Sequence, residues 1–263
     1  MLTQEPTDRP GTPLPPHLLG VINLMNEKPD VLRYADSPEA ALRLAEEYRA
    51  AGFTAVDLGA QSSHYGVRRI DKDQELAVLL PVVRALVAEE HSVCIETSRA
   101  EVIRAACGEG ASIVNLSGGL FRDDVQAALA ETRPSVITAF TPRDSTTEVH
   151  DLDIESDLSA RLADGLRSNL RLLHDLGVEE VIADAGIGFS YPVPYSEFRH
   201  YQVSAIRRTR ELAAAVGAPL LVAVPRLPDL WITVTFAALS VEHGADLLRC
   251  HDPDVAKVVS LLT

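Results

Sequence analysis

Basic residues are scarce in this chain. Lysine and arginine together number 24 against 38 aspartates and glutamates, a net charge of −14. That balance argues against a binder of nucleic acid or of anionic membranes. Cysteines are few and odd in number, and Cys94, Cys107 and Cys250 show no metal-ligand spacing. They read as buried thiols in a reducing compartment, the cytoplasm, and not as a disulfide framework. No apolar run has the length of a membrane span, no stretch reads as a signal peptide, and no glycine-rich dinucleotide fingerprint is present. What is present is 46% hydrophobic residues in 263 positions, ample for one sizeable core. The first 16 residues, "MLTQEPTDRPGTPLPP", are proline-rich and polar and read as a disordered lead-in to a domain over 17–263.

Within 17–263 one pattern recurs: a helix ends in glycine, an apolar run follows, and the run ends in a polar residue. "AGFTAVDLG" does this at 51–59, "EGASIVNLSG" at 109–118, "LGVEEVIADAG" at 176–186 and "HGADLLRCHD" at 243–252. Glycine supplies the left-handed helix cap, and an unbroken apolar run suits a strand buried on both faces, as in parallel sheets. The spacing predicts eight strands, near 18–24, 55–59, 92–97, 112–116, 135–140, 180–185, 219–224 and 246–250, most followed by a helix. The first helix begins at Ser37-Pro38, with Ala41, Leu44, Ala45 and Tyr48 on one face, and the last at Asp252-Pro253. Eight such units predict a (β/α)8 TIM barrel, an α/β fold; a doubly wound open sheet is the alternative.

Active sites of such barrels lie at the C-terminal strand ends. The polar residues there are Asn23, Asp57, Gln61, Glu96, Asn115, Asp184, Arg249 and His251, whereas strands 5 and 7 end in Phe140-Thr141 and Pro225-Arg226. Arg249 and His251 are two apart and share a strand face, and barrel closure brings Asn23 beside them. Together they read as an oxyanion clamp for phosphate or diphosphate, helped by the helix N-terminus after Pro253. The bland alternative pairs Arg249 with Asp252 or Asp246. Glu96, Asn115 and Asp184 suit a heterocycle rich in N–H donors. A general acid–base pair, metal ligands, or mere caps and salt bridges are the alternatives. Asp57 reads as a residue that orients a neighbour, and His64 in "GAQSSHYG" as a surface histidine. The acidic segment 141–157 is a lid or a solvated connection, and Trp231 is expected to pack in the helix–barrel seam.

These stretches resemble the dihydropteroate synthase family, the pterin-binding (β/α)8 enzymes of folate biosynthesis. "GVINL" is similar to the family's first-strand motif and "DLGAQSSHYG" to its Asp-Ile-Gly-Gly-Glu-Ser-Thr-Arg-Pro-Gly loop. "IETS" is similar to its Val-Asp-Thr strand, "IVNLSGG" to its Asn-Asp-x-Ser-Gly turn, "DAGIGF" to its Asp-Pro-Gly-x-Gly-Phe, and "LLRCHD" to its final Arg-x-His-Asp. The resemblance implies that Glu96, Asn115 and Asp184 hold the pterin ring. It implies that Asn23, Arg249 and His251 form the diphosphate end, with Asn23 a magnesium ligand. Catalysis then falls to Asp184, Arg249 and His251. Gln61, Ser63, His64, Phe140, Phe189 and Arg226 complete the substrate contacts. The family displaces diphosphate from a dihydropterin methylene with p-aminobenzoate, as a homodimer built through late helices; the apolar run "WITVTFAAL" at 231–239 suits such an interface and equally suits the core.

The departures cluster on one side. Where the family has Ser-Arg-Lys on strand 7, this chain has Pro225-Arg226-Leu227; Ser63-His64 stands for Thr-Arg, Gln61 for glutamate, and Glu96 for the strand-3 aspartate. The first loop, "MNEKPDVLRYAD", keeps only Pro29-Asp30 of the family motif. The expectation is therefore a divergent transferase with an altered second-substrate site, in specialised metabolism. The alternatives are a genuine but atypical synthase and a catalytically silent pterin-binding paralogue. A methyltetrahydrofolate-dependent corrinoid methyltransferase ranks last, because its strand-7 asparagine motif is absent.

Overall fold

The computed structural model describes residues 16–25, 33–61, 70–139, 158–187, 195–225 and 230–263. The expectations placed on the lead-in, on Pro29-Asp30 and on the 141–157 segment lie outside these residues, as do those on Ser63, His64, Phe140, Phe189, Arg226 and Leu227.

Eight strands follow one another: β1 (His17–Asn23), β2 (Ala55–Gly59), β3 (Val93–Thr97), β4 (Ile113–Leu116), β5 (Ser135–Ala139), β6 (Val181–Asp184), β7 (Leu220–Ala223) and β8 (Leu247–Cys250). They pair in chain order, all in parallel, and β8 returns to β1 to close a barrel. The fold is the (β/α)8 barrel, and closure removes the open-sheet alternative. Between strands run the helices α1 (Pro38–Ala50), α2 (Lys72–Ala88), α3 (Ala100–Gly108), α4 (Asp123–Thr132) and α5 (Leu158–Asp175). Two helices, α6 (Tyr195–Arg207) and α7 (Thr209–Val216), separate β6 from β7; α8 (Leu230–Glu242) and α9 (Val255–Leu262) complete the ring. Among the described residues no helix is long and apolar enough to cross a membrane.

Local chemistry explains most of the boundaries. Ser37 caps α1, its hydroxyl accepting the Ala40 N–H at 3.2 Å, with Pro38 opening the helix. Gly110 ends α3 with φ +102°, and a Cβ there would lie 2.8 Å from Val87 Cγ1, so both conformation and space require glycine. The last helix starts later than Asp252-Pro253. The Asp252 carboxylate accepts the Asp254 N–H at 2.9 Å, which holds a turn, and α9 begins at Val255. Trp231 corrects another expectation: it is 78% exposed in the first turn of α8 and does not pack in the seam.

Two apolar layers position everything else. The outer layer, between strands and helices, holds residues such as Ile22, Leu58, Ile95, Leu129 and Leu166. The inner layer lines the barrel: Leu19, Ala55, Cys94, Ile113, Ile137, Ile182, Leu221 and Leu247, one from each strand, with Ala223 a second from β7. Strand side chains alternate, so the residue two positions further on faces the same interior.

The closing seam carries its own device. Tyr48 of α1 lies flat on Gly20 of β1, where a Cβ would meet the ring at 2.6 Å. Its hydroxyl proton is shared between Val21 O at 3.0 Å and His251 O at 2.8 Å, joining β1 to the turn after β8. Gly20→Ala is expected to lower unfolding free energy in urea by about 1–3 kcal/mol, the usual cost of overpacking a filled site. The loss should shrink when Tyr48 is also replaced by Leu; equal losses in both backgrounds would show that the ring is not what crowds position 20.

Candidate active site

Moving two residues up from the inner apolar layer changes its character on five strands at once. Ala55 gives way to Asp57, Cys94 to Glu96, Ile113 to Asn115, Ile182 to Asp184 and Leu247 to Arg249. On β5 and β7 the matching residues are alanines, Ala139 and Ala223. A polar layer thus caps a greasy one at the C-terminal ends of the strands, where a barrel places its chemistry.

Arg249 ties this layer together. Its Nε donates to Asp57 Oδ2 at 2.6 Å and its Nη2 to Glu96 Oε2 at 2.6 Å. Asn115 Nδ2 donates to the same Asp57 oxygen at 3.0 Å. Asp57 is fully buried and Arg249 is 17% exposed. Burial works against the arginine's charge, but the two carboxylates outweigh it and hold the guanidinium protonated. The Cys94 thiol lies beneath, facing Asp57, and burial followed by that carboxylate raises its pKa. No nitrogen or oxygen among the described residues donates to Asp57 Oδ1.

Asp184 stands apart on β6. It is 6% exposed, and its Oδ1 accepts the Gly186 N–H at 2.8 Å. Burial raises its pKa to about 6, a rise limited by the Gly186 N–H and by Arg249, while Asp57 adds to it. Asn23 ends β1 opposite Gly59, and a Cβ on that glycine would sit 3.9 Å from both Asn23 Oδ1 and Glu96 Oε2. Asn23 and Glu96 therefore flank Gly59 from the two adjoining strands. Gln61 follows β2, and its buried Oε1 has no donor among the described residues. His251 follows β8, and its carbonyl accepts from Tyr48 and, at 3.2 Å, from Arg33 Nε. The Arg33 guanidinium also stacks on the Tyr48 ring, 5.4 Å from its centroid.

The structure brings together the residues that sequence reading divided between an anion end and a ring end. Arg249 pairs with neither Asp252 nor Asp246. Asp246 accepts the Leu220 N–H and Asp252 holds the turn before α9. Asp57, read as an orienting residue, is the acceptor for both Asn115 and Arg249. Arg33 and Tyr48 went unmarked as site residues. Tyr48 was placed only on the buried face of its helix, and nothing near Arg33 marks its reach to residue 251. Among the described residues no group of three or more His, Cys, Asp or Glu is arranged to hold a metal.

A closed (β/α)8 barrel with carboxylates, an amide and a guanidinium at its strand ends defines a class of small-molecule site. A family model described as "Pterin binding enzyme" matches residues 19–251, from β1 to the turn after β8, and the chain belongs to that family. It is 29% identical to a dihydropteroate synthase of Mycobacterium leprae over 93% of each chain. It is 28% identical to the dihydropteroate synthase of Synechocystis sp. over 88% of this chain and 84% of that one. Among solved structures, the Thermus thermophilus dihydropteroate synthase in complex with 6HMPPP superposes with a TM-score of 0.74 at 25% identity, covering 93% of this chain and 92% of that one.

The raised pKa of Asp184 has a consequence for stability. A carboxylate that titrates near 6 in the folded chain, against an ordinary 3.8, holds its proton more tightly when folded. Its contribution to stability therefore falls as pH rises from about 4 to about 6 and is level beyond. Asp184→Asn keeps an acceptor for Gly186 and carries no charge. Its melting temperature relative to wild type is expected to rise across that window and then stay constant through pH 8. A difference independent of pH from 4 to 8 would rule out the buried titration.

Proposed function

We propose that the chain is a dihydropteroate synthase-like transferase that seats a pterin-like or other anionic heterocycle in the barrel mouth and has an altered second-substrate site. The observation that carries this reading is the polar layer, five strands each contributing a carboxylate, an amide or a guanidinium two residues above an apolar floor. A carboxylate accepts paired N–H bonds from a flat heterocycle, and Asp184 offers one from a buried wall. With its pKa at about 6, Asp184 is anionic at neutral pH and able to make them. Arg249 and His251 suit the other end of the ligand. There negative charge grows on a departing diphosphate, and fixed donors lower the barrier most where charge develops.

Magnesium binds through few protein oxygens and several phosphate or water oxygens. The residues here fit a dication that arrives with diphosphate, with the Asn23 amide oxygen as its protein ligand, better than an all-protein cage. Such an ion supplies charge neutralisation of the diphosphate. Three unpaired thiols, Cys94, Cys107 and Cys250, fit a cytoplasmic setting.

A second reading, a genuine synthase that uses p-aminobenzoate, is favoured by relatives of that name aligned over 84–93% of their length. Against it stand Leu227 in place of the family's lysine and Ser63-His64 in place of Thr-Arg.

The test is calorimetry with 6-hydroxymethyl-dihydropterin diphosphate, with and without magnesium, on wild type and Asp184→Ala. Binding that the substitution abolishes is expected. No binding by wild type would mean that the barrel takes another ligand. Diphosphate release that requires p-aminobenzoate would select the genuine synthase, release with a different amine or nucleophile the divergent enzyme, and binding with no turnover a silent paralogue.

We also propose a homodimer through the late helices. α8 has no charged side chain before Glu242, Trp231 and Leu230 are 78% and 41% exposed, and Leu261 on the neighbouring α9 is 84% exposed. Apolar surface of this size on adjacent helices is expected to be covered. In sedimentation velocity, wild type should run as a dimer and Trp231→Glu as a folded monomer; a monomeric wild type would remove the proposal.

A further inference from the structure

We infer that Glu96 is a positioning residue for Arg249 and not a ligand of the heterocycle, so that the ring is read by one carboxylate, Asp184, with Asn115 beside Asp57. The ring-and-anion part of this inference rests on the function proposed above; the hold of Glu96 on Arg249 does not.

The geometry supports it in three ways. First, Nε and Nη2 form one edge of the guanidinium, and that edge is divided between two separate carboxylates, Asp57 and Glu96, each at 2.6 Å. Pinning both nitrogens fixes the plane of the group and leaves Nη1 as the nitrogen that no described residue engages. Second, Asp57 meets only Nε of this edge, so the hold on Nη2 falls to Glu96. Asp57 Oδ2 already accepts from Asn115 and from Arg249 Nε, and the carboxylate faces the Cys94 thiol on its other side. Third, the contact depends on side-chain length. An aspartate at position 96 would withdraw the carboxylate by one carbon–carbon bond, about 1.5 Å, and carry it beyond hydrogen-bond reach of Nη2.

Charge attraction does not explain the arrangement. Asp57, Glu96 and Arg249 together carry net −1, which opposes an incoming anion. What Glu96 adds is aim: a guanidinium that cannot rotate presents Nη1 in one direction, and preorganised donors need no rearrangement when charge arrives. One carboxylate fewer for the ring also narrows the ligand class, towards heterocycles that present a single edge of N–H donors.

The experiment separates aim from charge. Glu96→Asp keeps the charge and shortens the reach, whereas Glu96→Gln keeps the length and removes the charge. The probes are inorganic diphosphate and 6-hydroxymethylpterin, titrated separately by calorimetry. The expected result is a diphosphate affinity about tenfold weaker in Glu96→Asp, in line with one charge-assisted hydrogen bond. Pterin affinity should be unchanged in Glu96→Gln and lost in Asp184→Asn. Diphosphate binding unchanged in Glu96→Asp, or pterin binding weakened in Glu96→Gln, overturns the inference. A ligand-independent arm uses nitrogen NMR of the arginine side chains, with Arg249 assigned by its loss in Arg249→Lys. Resolved, slowly rotating Nη signals in wild type should merge in Glu96→Asp while the melting temperature still shows a folded protein. Signals identical in the two proteins overturn the positioning role even if neither probe binds. Should wild type bind neither probe while the signals merge as expected, the proposed function falls and the hold of Glu96 on Arg249 stands.

Discussion

One buried cation organises the mouth of this barrel. Removing a guanidinium from water forfeits hydration worth several kcal/mol, which is recovered only when acceptors meet its N–H groups in good geometry. Asp57 and Glu96 do so from neighbouring strands, and Asp57 in turn needs Arg249 and Asn115 because it is itself sealed from solvent. The apolar layer below closes one side of these contacts to water, which strengthens them. Removing any one member leaves a charge or a polar group uncompensated, which links the integrity of the site to that of the strands β2, β3, β4 and β8.

The seam between first and last strand repeats this economy with neutral groups. A tyrosine ring fills the space over Gly20, its hydroxyl reaches two carbonyls, and Arg33 lies on the ring and reaches one of the same carbonyls. The turn that carries His251 is therefore attached to Arg33 and α1 as well as to its own strand. The residue after β8 thereby acquires a defined place although no β-ladder bond fixes it.

Much of the fold was legible because its signals are local. A helix-ending glycine, a run of apolar residues and a polar terminus recur at short range, and the strands lie within a residue or so of where that pattern puts them. The site was legible as a set of positions for the same reason: period-two alternation forces Asp57, Glu96, Asn115, Asp184 and Arg249 onto one face. Their partners were not. Arg249 meets Asp57 and Glu96 across 192 and 153 positions of chain, and side-chain reach across a barrel mouth has no counterpart in spacing. The start of α9 was misplaced because Asp252-Pro253 serves equally as a cap and as a turn. Trp231 was misplaced because an apolar helix looks the same in sequence whether it faces the barrel or the outside.

The alanines of β5 and β7 give the polar layer a direction. Asp184 pairs in register with Ala139 on one side and with Leu221 on the other, and Ala223 follows two residues above Leu221, so the flanking positions of β5 and β7 carry no polar side chain. On the far side, from β2 through β4, the wall is thick with Asp57, Glu96 and Asn115. Polar side chains are thus concentrated on the β2–β4 side of the layer, and Asp184 stands among apolar neighbours on the other. Positions 139 and 223 carry the smallest side chains at the level of the polar layer, and enlarging either one would add bulk there without touching a polar atom.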